Sequence, residues 1–271
     1  EAARLGIPEM ERSTLLGELM LGHKNVICVC GAHGKTTTSS MIAETLLECG
    51  MDPTVHIGGR LDALGGGSRI GGKDVFVAEA CEFHGSFLEM HPTVAVVLNI
   101  DADHLDYYQD IDHIQAAFGQ FLSLVPPSGT ALGWGEDARI QALFESLNCE
   151  TRTFGMNETN DYYPAHLTYN DTGCPRYDVM YQGEKLCHVE LQVAGSFNVI
   201  NSLAAFAAAH VVGADPAEAA ASLSRFAGVH RRFELTGVID GVKMYHDYGH
   251  NPTEMRAALS VARQQHPRRL W

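Results

Sequence analysis

The chain has 271 residues, 45% of them hydrophobic and 19% charged, and a formal net charge of −14. This hydrophobic content is enough for a packed core. The acidic balance argues against general binding of nucleic acids or lipid surfaces, because both need a basic footprint. No apolar run approaches the roughly 20 residues that span a bilayer, and no charged and then apolar leader opens the chain. We therefore expect a cytoplasmic globular protein with no membrane insertion and no nucleic-acid partner.

The first 22 residues predict a polar connector, with an amphipathic turn or two and no core of its own. From residue 23 onward, short apolar runs alternate with longer segments of helical periodicity. Several runs are β-branched and apolar on every side, which is typical of strands covered on both faces in a parallel sheet. Strands are predicted at 25–30, 75–80, 93–100, 130–134 and 151–154, and helices at 36–49, 111–124 and 137–147.

Residues 162–193 interrupt this alternation. The stretch YDVMYQGEKLCHVELQV alternates in the manner of strands on both sides of Gln182-Gly183, which predicts an antiparallel β excursion. An alanine-rich helix is then expected from Asn198 to about Val212. Asp215, followed by Pro and then Glu, is typical of the cap of a further helix.

Beyond Arg232 the pattern changes to a strand, an Asp240-Gly241 turn, a second strand and a helix after Pro252. This last unit is too short to bury a stable core by itself. The strands and helices that alternate before it predict an α/β fold, a doubly wound and mostly parallel sheet of the P-loop type with the small antiparallel excursion. The chain is accordingly divided into a connector (1–22), a central domain (23–232) and the start of a Rossmann-like C-terminal domain (233–271).

Seven cysteines are scattered along the chain. Cys28 and Cys30 alternate within an apolar run, which predicts cysteines buried in a strand. No CxxC or His/Cys zinc spacing occurs, so we expect neither a disulfide framework nor a zinc site.

A glycine-rich turn joins the first predicted strand to the first long helix, in the sequence VICVCGAHGKTTTSSM. Glycines let backbone N–H groups approach phosphate oxygens, the helix N-terminus adds partial positive charge, and Lys35 adds a full one. The Thr36 hydroxyl suits Mg²⁺ carried by the phosphates. Val29 stands at the first glycine of the usual P-loop, so this form is shorter; a plain tight turn would explain the glycines but not the Lys-Thr pair. We predict phosphate binding by the segment called here the glycine loop, which consists of Gly31, Ala32, His33, Gly34, Lys35, Thr36 and Thr37.

Five segments resemble motifs of the Mur ligases, a family that also includes folylpolyglutamate synthases. They occur in the family's order over about residues 24–257, which makes them more specific together than any one alone. Members also carry an N-terminal UDP-binding domain that is absent here, and the connector is expected to follow it. The segments are GAHGKTTTSSM, EACEFHGSFLEMHPTVAVVLNIDADHLDYY, AGSFNVINSLAAFAAA, GVHRRFE and HDYGHNPTE.

The resemblance implies two Mg²⁺ sites. It matches Glu79 to the family's metal-binding glutamate, and Glu79 also ends a predicted strand, where ligands bind in open α/β sheets. Glu82 is the competing choice, and its alternative role is a solvated loop charge. His104 matches a histidine that members place on the second Mg²⁺, although capping or core hydrogen bonding is the commoner role of a lone histidine. Several members carry a carbamylated lysine near that second metal. The segment IDHIQAAFGQFLS contains no lysine, and the members that this chain resembles most also lack one.

The resemblance also implies a nucleotide site. Asn198 and Asn201 share a helix face and offer the donor and acceptor that an adenine edge needs, although helix capping is an alternative for Asn198. Arg232 matches a residue near the γ-phosphate, where a guanidinium stabilises the transferring group. Arg231 is expected to be structural.

Three further residues are assigned by resemblance alone. Asp247 aligns with a residue that contacts the ribose, and Tyr248 and His250 align with residues that face the muramate substrate. Phe197, His246 and Asn251 depart from the family's usual residues.

The activity that the resemblance implies is ATP-dependent amide ligation in peptidoglycan precursor synthesis. The motifs are most like those of the branch that joins L-alanine to UDP-N-acetylmuramate. In that reaction ATP phosphorylates the lactyl carboxylate, the amine of L-alanine attacks the acyl phosphate, and ADP and phosphate are released. The alternatives are another Mur-type ligase, such as murein-peptide ligase or folylpolyglutamate synthase, a P-loop kinase or nucleotide-gated module, and an ATP-binding fragment without turnover. The expected catalytic residues are Lys35, His104, Arg232 and His250.

Overall fold

The computed structural model describes residues 1–271. Its secondary structure follows the predicted alternation closely, and none of its helices is long and apolar enough to cross a membrane. The strands are β1 (Asn25–Cys30), β2 (Thr54–Leu61), β3 (Gly66–Arg69), β4 (Val75–Glu79), β5 (Val94–Val97), β6 (Thr130–Trp134), β7 (Glu150–Phe154), β8 (Tyr162–Tyr169), β9 (Pro175–Tyr181), β10 (Glu184–Glu190), β11 (Glu234–Ile239) and β12 (Val242–His246). The helices are α1 (Ala2–Leu5), α2 (Arg12–Met20), α3 (Lys35–Glu48), α4 (Ile111–Ser123), α5 (Ala138–Phe144), α6 (Ser196–Val211), α7 (Pro216–Leu223) and α8 (Pro252–Gln264).

Ten strands form one sheet in the order β10-β9-β8-β7-β6-β5-β1-β4-β2-β3. The strands from β8 to β2 in this order pair in parallel, whereas β9, β10 and β3 pair antiparallel at the two edges. The predicted antiparallel excursion is confirmed, and it continues the main sheet. The fold class predicted from the sequence is therefore confirmed.

Helices cover both faces of the sheet. In β1, Ile27 and Val29 point into a core shared with α3, α6 and α7, while Val26, Cys28 and Cys30 point into a second core with α2, α4 and α5. Successive strand residues face opposite sides, so a strand buried on both faces needs apolar residues at every position. The prediction of strand cysteines inside the core is thus confirmed for Cys28 and Cys30.

Two features differ from the sequence interpretation. The first is an additional pair of strands, β2 and β3, between α3 and β4. The second is that residues 1–22 are more than a connector: α2 packs its Leu16 and Met20 into the second core. Leu16 and Met20 are four positions apart, so they share one face of α2 and meet the second core, whereas Leu15 and Leu19 stay exposed.

The last unit is a two-stranded antiparallel sheet, β11 with β12, followed by α8. The predicted order of strand, turn, strand and helix is confirmed. The side chain of Asn251 caps α8 by accepting from the backbone N–H of Glu254, and Pro252 occupies the first turn. This helix start lies against the glycine loop, which places the last unit beside the site described next.

Candidate functional site

The glycine loop connects the carboxyl end of β1 to the amino end of α3. Gly31 and Gly34 both have positive φ, 138° and 86°, a region that glycine adopts without steric cost. No side chain caps the first turn of α3, so its N–H groups remain for another partner. An uncapped helix N-terminus preceded by glycines is a site suited to anions.

Lys35 and Glu82 form a buried ion pair beside this loop. The Lys35 ammonium lies 2.9 Å from the Glu82 carboxylate and donates to the Gly31 carbonyl at 2.6 Å. Burial lowers the pKa of Lys35, but the charge of Glu82 and its hydrogen bond outweigh that effect and raise the pKa overall. Glu82 is only 3% exposed, so the alternative of a solvated loop charge is wrong.

Thr36 and Glu79 meet on the other side of the loop, as a shared metal would require. Thr36 Oγ1 donates to Glu79 Oε1 at 3.1 Å, and the backbone N–H of Gly58 donates to Glu79 Oε2 at 2.8 Å. Neighbouring ligands of an octahedral Mg²⁺ at about 2.1 Å lie about 3 Å apart. A hydroxyl and a carboxylate at this spacing therefore fit Mg²⁺ well, although the assignment of both residues as ligands stays a prediction.

His104 lies near Glu82 and Asp103. Its Nε2 is 3.8 Å from Glu82 Oε1, and its Nδ1 is 4.0 Å from Asp103 Oδ1. One ligand atom from each of these three residues falls within 4.8 Å of the others. Because Glu82 also holds Lys35, and because Mg²⁺ prefers oxygen to imidazole, this group fits a second Mg²⁺ less well than the Thr36–Glu79 pair fits the first.

A cavity of about 950 Å³ opens between the glycine loop, α6 and the last unit. Both predicted adenine residues line it. Asn198 donates to the Ala194 carbonyl at 2.8 Å, and Asn201 donates to Asn198 Oδ1 at 3.1 Å. The cap of α6 is Gly195 rather than Asn198, so the capping alternative for Asn198 is wrong. The predicted site residues that line this cavity are His33, Gly34, Thr36, Thr37, Asn198, Asn201, Arg232 and Asp247.

Arg232 and Asp247 reach the cavity from the last unit. The Arg232 guanidinium lies 3.7 Å from Glu254 and 5.6 Å from the centre of the Tyr248 ring. Asp247 accepts hydrogen bonds from the backbone N–H groups of Phe233 and Gly249, at 2.8 and 2.7 Å. Its carboxylate is therefore held in a fixed orientation by the turn that carries it.

Tyr248 and His250, the predicted substrate residues, lie outside this cavity. Their rings are 5.5 Å apart, and both side chains are mostly exposed. Lys35, Glu79 and His104 likewise do not line it. The predicted site thus has three parts: the cavity, the cluster of Glu82, Asp103 and His104, and the exposed rings of Tyr248 and His250.

Sequence reasoning missed a network around His33. Its Nε2 lies 3.0 Å from Asp101, and its Nδ1 lies 3.2 Å from Asn251 and 3.7 Å from Glu254. Burial lowers the pKa of His33, but the hydrogen bonds of Glu254 and Asp101 raise it overall. The only sequence signal for these partners is that Asp101, Asn251 and Glu254 lie within the family motifs.

Comparison with known proteins places these residues in a family. Residues 29–209 match the Mur ligase middle domain, and residues 231–271 match the Mur ligase, glutamate ligase domain. The UDP-N-acetylmuramate–L-alanine ligase of Acetivibrio thermocellus is 43% identical over all of this chain and 58% of its own length. The chain thus spans about three fifths of the length of the curated relatives it matches.

Solved structures show the same architecture. UDP-N-acetylmuramate-alanine ligase MurC from Thermotoga maritima superimposes with a TM-score of 0.83 at 27% identity, covering 97% of this chain and 60% of that chain. The UDP-N-acetylmuramate:L-alanyl-gamma-D-glutamyl-meso-diaminopimelate ligase from Neisseria meningitides gives a TM-score of 0.72 at 29% identity, covering 83% and 73%. The resemblance inferred from the five motifs is confirmed, and the chain belongs to the Mur ligase family.

Proposed function

We propose that this chain is the ATP-binding part of a ligase that joins L-alanine to UDP-N-acetylmuramate in the cytoplasm, with ADP and phosphate as the other products. The proposal rests most on one arrangement: the glycine loop, with Lys35, joins a cavity lined by Asn198 and Asn201 to the Thr36–Glu79 oxygen pair. A nucleotide with adenine in the cavity would extend its phosphates over the N-terminus of α3. The 43% identity to an L-alanine ligase supports the choice of substrates.

The residues of the chain suit the first half-reaction, transfer of the γ-phosphoryl group to the lactyl carboxylate. Two anions must approach each other, so fixed positive charge is needed where they meet. Lys35 and Arg232 would provide it, one from the loop and one from the last unit. The backbone N–H groups of α3 would orient the phosphates without moving.

Thr36 and Glu79 would hold Mg²⁺, and His104 with Glu82 would form the region of a second ion. Bound Mg²⁺ supplies positive charge that offsets the charge developing on the transferring phosphoryl group. The chain contributes the oxygen ligands and their spacing. Tyr248 and His250 are proposed to face the muramate acceptor, and closure of the last unit would exclude water from the acyl phosphate.

Two other members of the family remain as alternatives, murein-peptide ligase and folylpolyglutamate synthase, together with an ATP-binding fragment without turnover. The similarity to the Neisseria meningitides ligase favours the first of these over the second. The two alternative ligases differ from the proposal in the acceptor or in the amino acid or peptide used, and the fragment without turnover gives no product with any of them. A substrate panel therefore separates them.

Binding by this chain is tested first by calorimetry with ATP and Mg²⁺. We expect Lys35→Ala to abolish binding, because it removes the ammonium group that the glycine loop holds beside the expected phosphates. Lys24→Ala, a change ahead of β1 and outside the cavity, is the matched control and should bind as the wild type does. Unchanged affinity in Lys35→Ala would contradict the loop assignment.

Turnover is tested with the whole protein that contains this chain. We expect ADP release that depends on both L-alanine and UDP-N-acetylmuramate. A signal with a tripeptide in place of L-alanine would support murein-peptide ligase. A signal only with glutamate and folate would support folylpolyglutamate synthase.

A further inference from the structure

Two consecutive glycines in β2 lie against the predicted Mg²⁺ ligands. Strand β2 pairs in parallel with β4 up to His56 and Ala78, and β4 ends one residue later at Glu79. The next donor along β2 is the N–H of Gly58, which donates to Glu79 Oε2 at 2.8 Å. The carboxylate thus takes the place of the backbone acceptor where β4 has ended.

Gly58 leaves no room for a side chain on this side. A Cβ atom there would lie 2.9 Å from Glu79 Oε2 and 3.0 Å from Oε1. The φ angle of Gly58 is not in the left-handed region, so its backbone would accept alanine. What the position excludes is a side chain that pushes the Glu79 carboxylate away.

Gly59 makes the equivalent approach to the second predicted ligand. A Cβ atom there would lie 2.5 Å from Thr36 Cγ2 and 2.9 Å from Val229 Cγ1. Thr36 is β-branched and sits in the first turn of α3, where its χ1 angle is restricted. A side chain at Gly59 would therefore displace the Thr36 methyl group and disturb the direction of its hydroxyl.

We propose that Gly58 and Gly59 are positioning residues that hold Glu79 and Thr36 with their oxygens 3.1 Å apart, ready for the Mg²⁺ that arrives with the nucleotide. This inference rests on the proposed function, because it assumes that ATP binds with Mg²⁺ at this pair. One Glu79 oxygen is held by the Gly58 N–H, and the other faces Thr36. The carboxylate cannot rotate without losing one of these bonds.

The test compares Gly58→Ala with Gly66→Ala, a control in β3 where a Cβ atom would meet nothing within 4 Å. Calorimetry of the chain with ATP is run once with EDTA and once with excess Mg²⁺, and the ratio of the two dissociation constants is taken. In Gly58→Ala we expect Mg²⁺ to strengthen ATP binding less than in the wild type, by roughly 10- to 100-fold, as for other partners that orient a metal ligand. Gly66→Ala should keep the wild-type ratio.

Other results bear on the inference in distinct ways. A wild-type ratio in Gly58→Ala would overturn the inference alone. Absence of any Mg²⁺ effect in the wild type would overturn the proposed function and the inference with it. Loss of folding or of metal-free ATP binding in Gly58→Ala would also overturn the inference, because the Glu79 carboxylate is a flexible end that can move without disturbing β2.

Discussion

The ring of His33 in the glycine loop lies 3.7 Å from the carboxylate of Glu254 in the first turn of α8. Glu254 in turn lies 3.7 Å from the guanidinium of Arg232. One carboxylate therefore links the loop of the central domain to an arginine of the last unit. Any change in the His33–Glu254 contact is expected to alter how firmly the last unit is held at the cavity.

This contact predicts a pH dependence. The pKa of His33 is raised above its ordinary 6.5. Its contribution to the free energy of unfolding is therefore complete below pH 6.5 and is lost as pH rises through the raised pKa. Burial raises the pKa of Glu254, but the hydrogen bonds from His33 and the His250 N–H lower it overall to about 2. The contribution of Glu254 to the free energy of unfolding is therefore complete above pH 4.5 and is lost as the pH falls through about 2.

We expect His33→Asn to reduce the free energy of unfolding by about 1.5–3 kcal/mol near pH 6, as for hydrogen bonds to charged groups. The difference from the wild type should shrink as pH rises from 6.5 to 9. Urea unfolding across this range measures it. His91→Asn, a change at an exposed histidine, should show no such trend. A constant difference at every pH would mean that the His33 charge contributes nothing.

Because Lys35 and Glu82 form a buried ion pair, we expect their contributions to the free energy of unfolding to be strongly coupled. Glu82→Gln alone leaves a mostly buried ammonium without its partner, which is expected to cost about 3 kcal/mol or more. Lys35→Met alone should cost a similar amount, while the double variant should lose much less than the sum. The exposed pair Arg4–Glu1 is the control and should show no measurable coupling. Urea unfolding of each set of variants provides the cycle. Additive losses at Lys35 and Glu82 would rule out the coupling.

Alanine substitutions at Gly34 and Gly50 distinguish the cost of backbone strain from the cost of a steric clash. Gly34 and Gly50 flank α3 with φ of 86° and 71°, and alanine in this region costs about 1 kcal/mol at either place. A Cβ atom at Gly34 would lie 2.7 Å from Asn201 Oδ1, whereas at Gly50 it would meet nothing within 4 Å. Gly34→Ala should therefore weaken ATP binding at least tenfold beyond any effect of Gly50→Ala. Calorimetry with ATP and Mg²⁺ measures both, and equal affinities would contradict a role for Asn201.

The strands that sequence patterns identified are those buried on both faces. β1, β4 and β5 are continuous apolar runs, and such a run has few alternatives to a central strand. β2 was missed because the sequence TVHIGGRL contains two glycines, which usually indicate a turn. In the structure those glycines serve tertiary contacts with Glu79 and Thr36, and no local pattern carries that information.

The sequence predicts those parts of the candidate site that lie within short contiguous motifs, but not the contacts between distant segments. The glycine loop and Asn201 were found because each belongs to a short recognisable segment. The partner of Lys35 was not found, since Glu82 is 47 positions away and the choice between Glu79 and Glu82 depends on side-chain direction at the end of β4. The contact of His33 with Glu254 spans two units and could not be anticipated from either.

The packing of α2 provides a prediction outside the site. Met20 is fully buried in the second core, while its neighbour Leu19 is 56% exposed. At Gly17 a Cβ atom would lie 2.0 Å from the Glu89 carbonyl oxygen, so the helix approaches the segment that follows Glu82 very closely. Met20→Ala should reduce the free energy of unfolding by about 2–5 kcal/mol, as expected for a large-to-small change in a core.

Leu19→Ala is the matched control and should change that free energy by no more than about 0.5 kcal/mol. Urea unfolding monitored by tryptophan fluorescence and by circular dichroism gives both values, and agreement of the two probes shows whether unfolding is a single transition. If Met20→Ala were as stable as Leu19→Ala, α2 would be a dispensable connector after all. A large loss confined to Met20→Ala would instead make α2 part of the central domain, because only a helix that shares the domain's core can affect its global unfolding.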